Sequence, residues 1–210
     1  MMRFDEERYL SYLRGLPREL RVVFAVACAE RLLPAYRAYV DSGGPGNYPL
    51  LQAAMADAWL WTQGGVPEKD PQSWIDECVE QVPDEDGAPS EVPFSKWISD
   101  ALDCSSAVVY ALRAWASGDP QEALWAAKAE HTVMFDLAEE LRDIRVGSGG
   151  PAAVSATEEH PVVQAELRRH ARDLEELLGR ETSTADLSQR IRARAIADSN
   201  EVCALLQRRP

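Results

Sequence analysis

The sequence of 210 residues predicts an all-α protein: a single-domain bundle of about eight helices, mostly antiparallel to their neighbours. Three observations support this fold class. Apolar residues, 46% of the chain, recur at helical spacings of three and four. No run shows the sustained apolar and polar alternation that is typical of strands. Proline and glycine fall mostly between the periodic segments, where they mark helix ends.

The first half of the chain predicts four helices. Gly15 ends the first helix, and Pro17 suits the first turn of the second. Pro34 is expected to kink or end that second helix. Asp70 and Pro71 provide an N-cap and a first helical residue for the fourth. The four helices are expected at about 4–14, 17–34, 49–62 and from 70 onwards.

The second half predicts four more. The fifth helix has the clearest pattern, because its apolar residues follow one another at spacings of 4, 3, 4, 3, 4 and 3 from Phe94 to Trp115. Asp119 caps the sixth helix. The stretch 146–159 is rich in glycine, alanine and serine, which predicts a long flexible loop. Pro161 starts the seventh helix, and Ser183 or Thr184 caps the eighth.

These elements predict one domain. Residues 1–180 are expected to form the helical bundle, and residues 181–210 a C-terminal helix packed on the same domain. With its own polar linker and several arginines, this last helix is the element expected to pack peripherally or swing out.

The charge is concentrated in the middle of the chain. The net charge is -13, and residues 41–110 contribute -11 of it, with 13 acids and 2 bases. An acidic chain is a poor ligand for nucleic acid or an anionic membrane. The densest acidic stretch contains Asp84, Glu85, Asp86 and Glu91. It predicts either a solvated surface or a face that binds a basic protein.

Localisation in the cytoplasm is expected. The N-terminus has acids where the apolar region of a secretory signal would begin. No uncharged apolar run approaches the roughly 18 residues of a membrane-spanning helix. The four cysteines are far apart in sequence and fall within predicted helices, which favours reduced thiols.

Motifs for catalysis, cofactors or metals are not found, so no catalytic residue, cofactor or metal ligand set is predicted. His131 and His170 each lie in an apolar row. They are interpreted as histidines at the edge of the core. The alternative is that they converge with Cys104 or Glu166 in a small polar site, or even a metal site.

Arg31 lies on the apolar side of the second helix, where a charge must be paired. Asp103 is the predicted partner, and a structural ion pair is the preferred interpretation. The alternative is a polar ligand pocket built from Glu30, Arg31, Asp103 and His131.

The segment Cys28-Ala29-Glu30-Arg31-Leu32-Leu33-Pro34-Ala35-Tyr36 resembles a characteristic motif of the YjaG-like bacterial proteins, a family of unknown function. Weaker matches follow in order at Trp59, 83–84, 101–103 and 160–166. The resemblance covers about residues 4–180. It departs at Ala56, where the family tends to carry an acid, and in the longer linker at 146–159. It implies an all-helical fold and no established activity.

Three functions remain open. The first is a non-catalytic protein-binding module, most concretely an immunity protein that neutralises a basic toxin. The second is an enzyme or small-ligand-binding protein that uses the polar pocket. The third is a self-associating structural protein, for which a homodimer is the simplest form.

Overall fold

The computed structural model describes residues 1–84, 97–142, 151–179 and 183–208. Within these ranges the chain forms helices and no strand, which confirms the all-α fold class. The described helices are α1 (Glu6–Gly15), α2 (Arg18–Asp41), α3 (Tyr48–Thr62), α4 (Pro71–Val79), α5 (Ile98–Ser117), α6 (Pro120–Leu141), α7 (Pro151–Glu158), α8 (Pro161–Gly179) and α9 (Thr184–Leu206).

Helix α2 is the centre of the bundle. Its segment from Val22 to Ala29 is fully buried on every side, which is typical of a helix surrounded by others. Helices α5, α6 and α9 pack against it, and α3 and α8 make smaller contacts with it. This central position brings α2 side chains into contact with residues that are distant in sequence.

Helix α2 does not end at Pro34, as the sequence allowed, but continues to Asp41. Beyond the proline, Tyr36 and Tyr39 are buried, and the Tyr36 hydroxyl donates a hydrogen bond to the carbonyl of Gln81 at 2.9 Å. Packing on both sides of Pro34 therefore offsets the loss of one helical hydrogen bond.

The expectation of a flexible loop over 146–159 was wrong for its second part. Residues Pro151–Glu158 form α7, which contacts α6 and α8. Thr157 is fully buried, and its hydroxyl donates a hydrogen bond to the carbonyl of Ala153 at 3.1 Å. Tertiary contacts thus stabilise a short helix that composition alone does not predict.

The last helix does not swing out. Helix α9 packs along α2, and Ile191, Ala195 and Val202 are fully buried there. Its remaining face carries the arginines that suggested a peripheral position. Two of them, Arg190 and Arg194, make ion pairs with acids of α8.

The thiols of Cys28, Cys78 and Cys104 are free and buried, and Cys203 is free and half-buried. Among the described helices, none combines the length and the apolarity needed to cross a membrane.

Candidate functional site

Arg31 is at the centre of a buried ion cluster that joins four helices. The side chain projects from α2 and is fully buried. Its Nε lies 3.1 Å from Asp198 Oδ2 on α9, and its Nη1 lies 3.4 Å from Glu130 Oε2 on α6. Its Nη2 is paired with Asp173 on α8. Each nitrogen of the guanidinium therefore faces a different carboxylate.

These contacts confirm that the charge of Arg31 is paired, but they correct its predicted partner. Asp103 lies on α5 and is half-buried, whereas the three acids that contact Arg31 come from α6, α8 and α9. All three guanidinium nitrogens are taken by these acids. The helix pattern located the buried charge, but it did not show which helices face α2.

A second layer of arginines surrounds two of these acids. Arg169 and Arg172 contact Asp198, at 3.6 and 2.8 Å, and Arg194 contacts Asp173 at 3.1 Å. These three arginines thus neutralise acids inside the bundle and at its edge.

His170 extends the cluster on its other side. Its Nε2 lies 2.8 Å from Glu130 Oε2 and 3.6 Å from Cys28 Sγ. Its Nδ1 lies 3.0 Å from Glu166 Oε1 and 3.2 Å from the Tyr9 hydroxyl. Cys28, Glu130, Glu166 and His170 are all fully buried.

The protonation states follow from these contacts. Burial disfavours the charged imidazolium, but the surrounding Tyr9, Glu166, Cys28 and Glu130 raise the pKa of His170 well above its usual value. Burial also opposes ionisation of Glu130, yet Arg31 and His170 lower its pKa to about 2. The result is an imidazolium held between two carboxylates.

The neighbouring thiol is not activated. Burial raises the pKa of Cys28 to about 11, although the nearby His170 acts in the opposite direction. The thiol is therefore protonated at neutral pH. A Cys–His pair that acts as a nucleophile needs a lowered thiol pKa instead.

His131 joins the same chain of contacts from the half-buried side. Its Nδ1 lies 3.0 Å from Glu166 Oε2, and its ring stacks on Phe4 with centroids 4.6 Å apart. His131 and His170 thus converge on Glu166, which was one of the two alternatives. The thiol in contact with His170 is Cys28, and not Cys104.

The predicted polar pocket is not assembled as one site. Arg31 and His131 are linked through Glu130, His170 and Glu166. Glu30 instead lines a surface groove of about 400 Å³ between α2, the start of α3 and α9. Its carboxylate accepts a hydrogen bond from Trp59 Nε1 at 2.9 Å, and its burial raises its pKa.

Of the predicted partner-binding residues, Asp84 is exposed, whereas Glu85, Asp86 and Glu91 lie outside the described residues. Other acids precede this stretch. We define the acidic face as the exposed acids in and around α4, which are Glu68, Asp70, Asp76, Glu80 and Asp84.

Few bases balance the acidic face. Between residues 41 and 84 the sequence contains a single base, Lys69. Its ammonium group forms an ion pair with Glu77 and lies 4.2 Å from the ring centroid of Trp74. The acidic face therefore presents carboxylates with little local compensation.

A groove of about 580 Å³ adjoins this face between α4, the end of α5 and the start of α6. Asp76, Glu80, Glu122 and Arg113 contribute charged groups to its lining. Burial raises the pKa of Glu122. Within the described part of the chain, Glu122 Oε2 is buried and has no hydrogen-bond partner. The carboxylate of Glu122 therefore lies in the wall of the groove with its Oε2 shielded from solvent.

Sequence reasoning missed Glu130, Asp173 and Asp198 as members of the ion cluster. The same signal that identified Arg31 was present for two of them. Glu130 follows Ala127 by three residues and precedes Met134 by four, and Asp173 precedes Leu177 by four. Both acids therefore interrupt an apolar row, which marks a buried charge in need of a partner.

Comparisons with known proteins agree with the fold. No curated protein matches the chain. A crystal structure of a DUF416 family protein from Shewanella baltica OS155 has a TM-score of 0.74 and 18% identity, and the match covers 90% of this chain and 93% of that one. The profile of the protein family of unknown function DUF416 matches residues 9–201, which extends beyond the expected limit near residue 180 and includes most of α9. The chain therefore belongs to the DUF416 family.

Proposed function

We propose that the protein is a non-catalytic, cytoplasmic protein-binding module that binds a basic protein through the acidic face, most concretely as an immunity protein that neutralises a toxin. The narrower affiliation with the YjaG-like proteins is part of this proposal. The observation that carries it is the acidic face itself, whose exposed carboxylates lie in a segment with a single base. A surface that carries charge of one sign accelerates association with a partner of opposite charge and disfavours partners of like charge.

The distribution of the arginines supports the proposal. Arg31, Arg169, Arg172 and Arg194 all contact acids of the buried cluster. These bases therefore neutralise acids of their own bundle, and Lys69, which pairs with Glu77 of α4, is the single base between residues 41 and 84.

The groove next to α4 suggests how a basic side chain would bind. Asp76, Glu80 and Glu122 supply three carboxylates, and Val79 adds an apolar surface that is 45% exposed. A partner arginine or lysine is able to pack its methylene groups on Val79 and donate to the exposed carboxylates of Asp76 and Glu80.

Affinity capture from the source cells, followed by mass spectrometry, tests the proposal. We expect a basic protein whose binding weakens as ionic strength rises. Asp76→Lys combined with Glu80→Lys should abolish capture. The control, Glu159→Lys combined with Glu175→Lys, changes the net charge equally on α7–α8 and should retain it.

Two further sets of variants distinguish binding at the groove from binding at the predicted acidic loop. Reversal of Asp84, Glu85 and Asp86 tests the loop, and Glu122→Gln tests the groove. The proposal is wrong if the captured protein is acidic, or if all charge reversals leave its binding unchanged.

A further inference from the structure

We propose that Cys28, Glu130 and His170 form a binding site for a divalent transition-metal ion of the zinc type, buried between α2, α6 and α8. The thiol, one carboxylate oxygen and one imidazole nitrogen all lie within 4.8 Å of one another. Sulfur, nitrogen and oxygen from three side chains are a ligand set that Zn²⁺ uses, with a fourth position left open. From the sequence no metal ligand set is predicted, and a metal site at His131 and His170, with Cys104 or Glu166, is only an alternative. Of those residues, the site proposed here contains His170.

The distances are close to those of a zinc site. With a Zn–S bond of about 2.3 Å and a Zn–N bond of about 2.0 Å, tetrahedral geometry separates the sulfur and nitrogen by about 3.5 Å. Cys28 Sγ lies 3.6 Å from His170 Nε2. The same geometry separates nitrogen and oxygen ligands by about 3.3 Å. Glu130 Oε2 is 2.8 Å from His170 Nε2, so the ion requires only a small outward shift of this carboxylate.

Glu130 also has a second carboxylate oxygen that is available to bind a metal ion. Among the described residues, its Oε1 is buried and has no hydrogen-bond partner. A buried carboxylate oxygen without a partner is costly, and a metal ion would satisfy it. Glu130 is able to bind the ion through Oε2, which also contacts Arg31, and to turn the unpartnered Oε1 toward the ion as a second contact.

The groups that would orient the ligands are already in place. Histidines that bind metals usually donate their other ring N–H to a carboxylate. The hydrogen-bond partner of His170 Nδ1 is the Tyr9 hydroxyl at 3.2 Å, and Glu166 Oε1 lies 3.0 Å from the same nitrogen. Arg31 Nη1 lies 3.4 Å from Glu130 Oε2 and fixes that carboxylate in turn.

The charge balance permits the ion in a buried site. Zn²⁺ binds cysteine as a thiolate and histidine as a neutral imidazole. A thiolate, a carboxylate and a neutral imidazole together carry two negative charges, which balance those of the dication. Arg31 is then balanced by Asp173 and Asp198.

The test uses the full chain, produced in medium supplemented with Zn²⁺ or Co²⁺ and purified without chelators, so that the ion is available during folding. We expect one metal ion per chain by elemental analysis. The Co²⁺ form should show the intense near-ultraviolet charge-transfer band of a thiolate ligand. Cys28→Ser should abolish this band, whereas Cys104→Ser, which alters another fully buried thiol, should keep it.

Glu166 is a positioning residue in this arrangement. Glu166→Gln should weaken Zn²⁺ affinity by about 10–100-fold while the thiolate band of the Co²⁺ form persists. Removal of zinc from the wild-type chain should lower its Tm.

The wild-type chain alone is sufficient to overturn the proposal, even if Cys28→Ser fails to fold. A folded wild-type chain that holds no stoichiometric metal would contradict it, and His170 would then be only an imidazolium between two carboxylates. Stoichiometric Co²⁺ without a thiolate band would also contradict it, because surface carboxylates would then be the ligands.

Discussion

Arg31 shows how one residue is able to determine the arrangement of several helices. A guanidinium removed from water is tolerated only where acids surround it, and here each nitrogen has its own carboxylate. The pairing adds less to the free energy of unfolding than its short distances suggest, because desolvation opposes it. Loss of one member is costly, because the remaining charges stay buried.

We therefore expect Arg31→Met to lower the free energy of unfolding by about 3–5 kcal/mol, since Glu130 and Asp173 lose a buried counter-charge. Urea denaturation measures the change. Arg37→Met on the same helix is the control. It removes an exposed ion pair with Asp41 and should cost less than about 1 kcal/mol. Equal effects of the two substitutions would contradict the central role of Arg31.

Glu30 predicts a pH dependence of stability. Burial raises its pKa in the folded state, so the folded chain holds this proton more tightly than the unfolded chain does. Stability is therefore lost as pH rises from the unfolded pKa of about 4.3 through the folded pKa. Glu30→Gln keeps an acceptor for Trp59 Nε1 and should raise Tm at pH 7.

The stabilisation by Glu30→Gln should disappear below about pH 4, where the wild-type carboxyl is protonated in both states. Glu159→Gln removes the same charge from an exposed position and serves as the control. If it raises Tm as much as Glu30→Gln does, net charge and not burial explains the effect.

At the level of helices, the sequence predicted the helices that bury one side and expose the other, because burial on one side determines the spacing of their apolar residues. Helices α5 and α6 follow their apolar rows, and Asp119 accepts the capping hydrogen bond from Gln121 N as expected. Helix α7 was missed, since eight residues with small side chains carry little periodicity and depend on contacts with α6 and α8. Helix α9 packs on the same domain as expected, but it does not swing out, and its Arg190 and Arg194 pair with acids of α8.

The buried face of α9 should therefore be essential for stability. Ile191 is fully buried and Ile196 is 43% exposed on the same helix. We expect Ile191→Ala to lower the free energy of unfolding by about 2–5 kcal/mol, because it creates a cavity against α2. Ile196→Ala should have an effect below about 1 kcal/mol. If both substitutions lowered the free energy of unfolding by similarly small amounts, α9 would contribute little to the packing of the bundle.

At the level of the whole molecule, the fold class followed from sequence, but the buried cluster did not. Its members come from four helices, and a periodic pattern shows which face of a helix is buried without showing which helices meet. Arg31 was located correctly, and its partners were not. The convergence of His131 and His170 on Glu166 was open for the same reason.

A chain that ends at residue 180 should not fold cooperatively. It lacks Asp198, so the Nε of Arg31 loses its carboxylate, and the surface of α2 that α9 covers is exposed to water. Circular dichroism during thermal unfolding should show helices without a sharp transition. A chain ending at residue 208 is the control and should unfold in one step. A sharp transition in the shorter chain would show that residues 1–180 form an independent domain.

The buried arginine also has a consequence for the order of folding during synthesis. Arg31 leaves the ribosome early, whereas its partner Asp198 follows 167 residues later. Until that acid is available, water solvates the guanidinium better than an incomplete interior does. The centre of the bundle is therefore closed only after α9 has been made, and the nascent protein exposes the apolar sides of α2 until then.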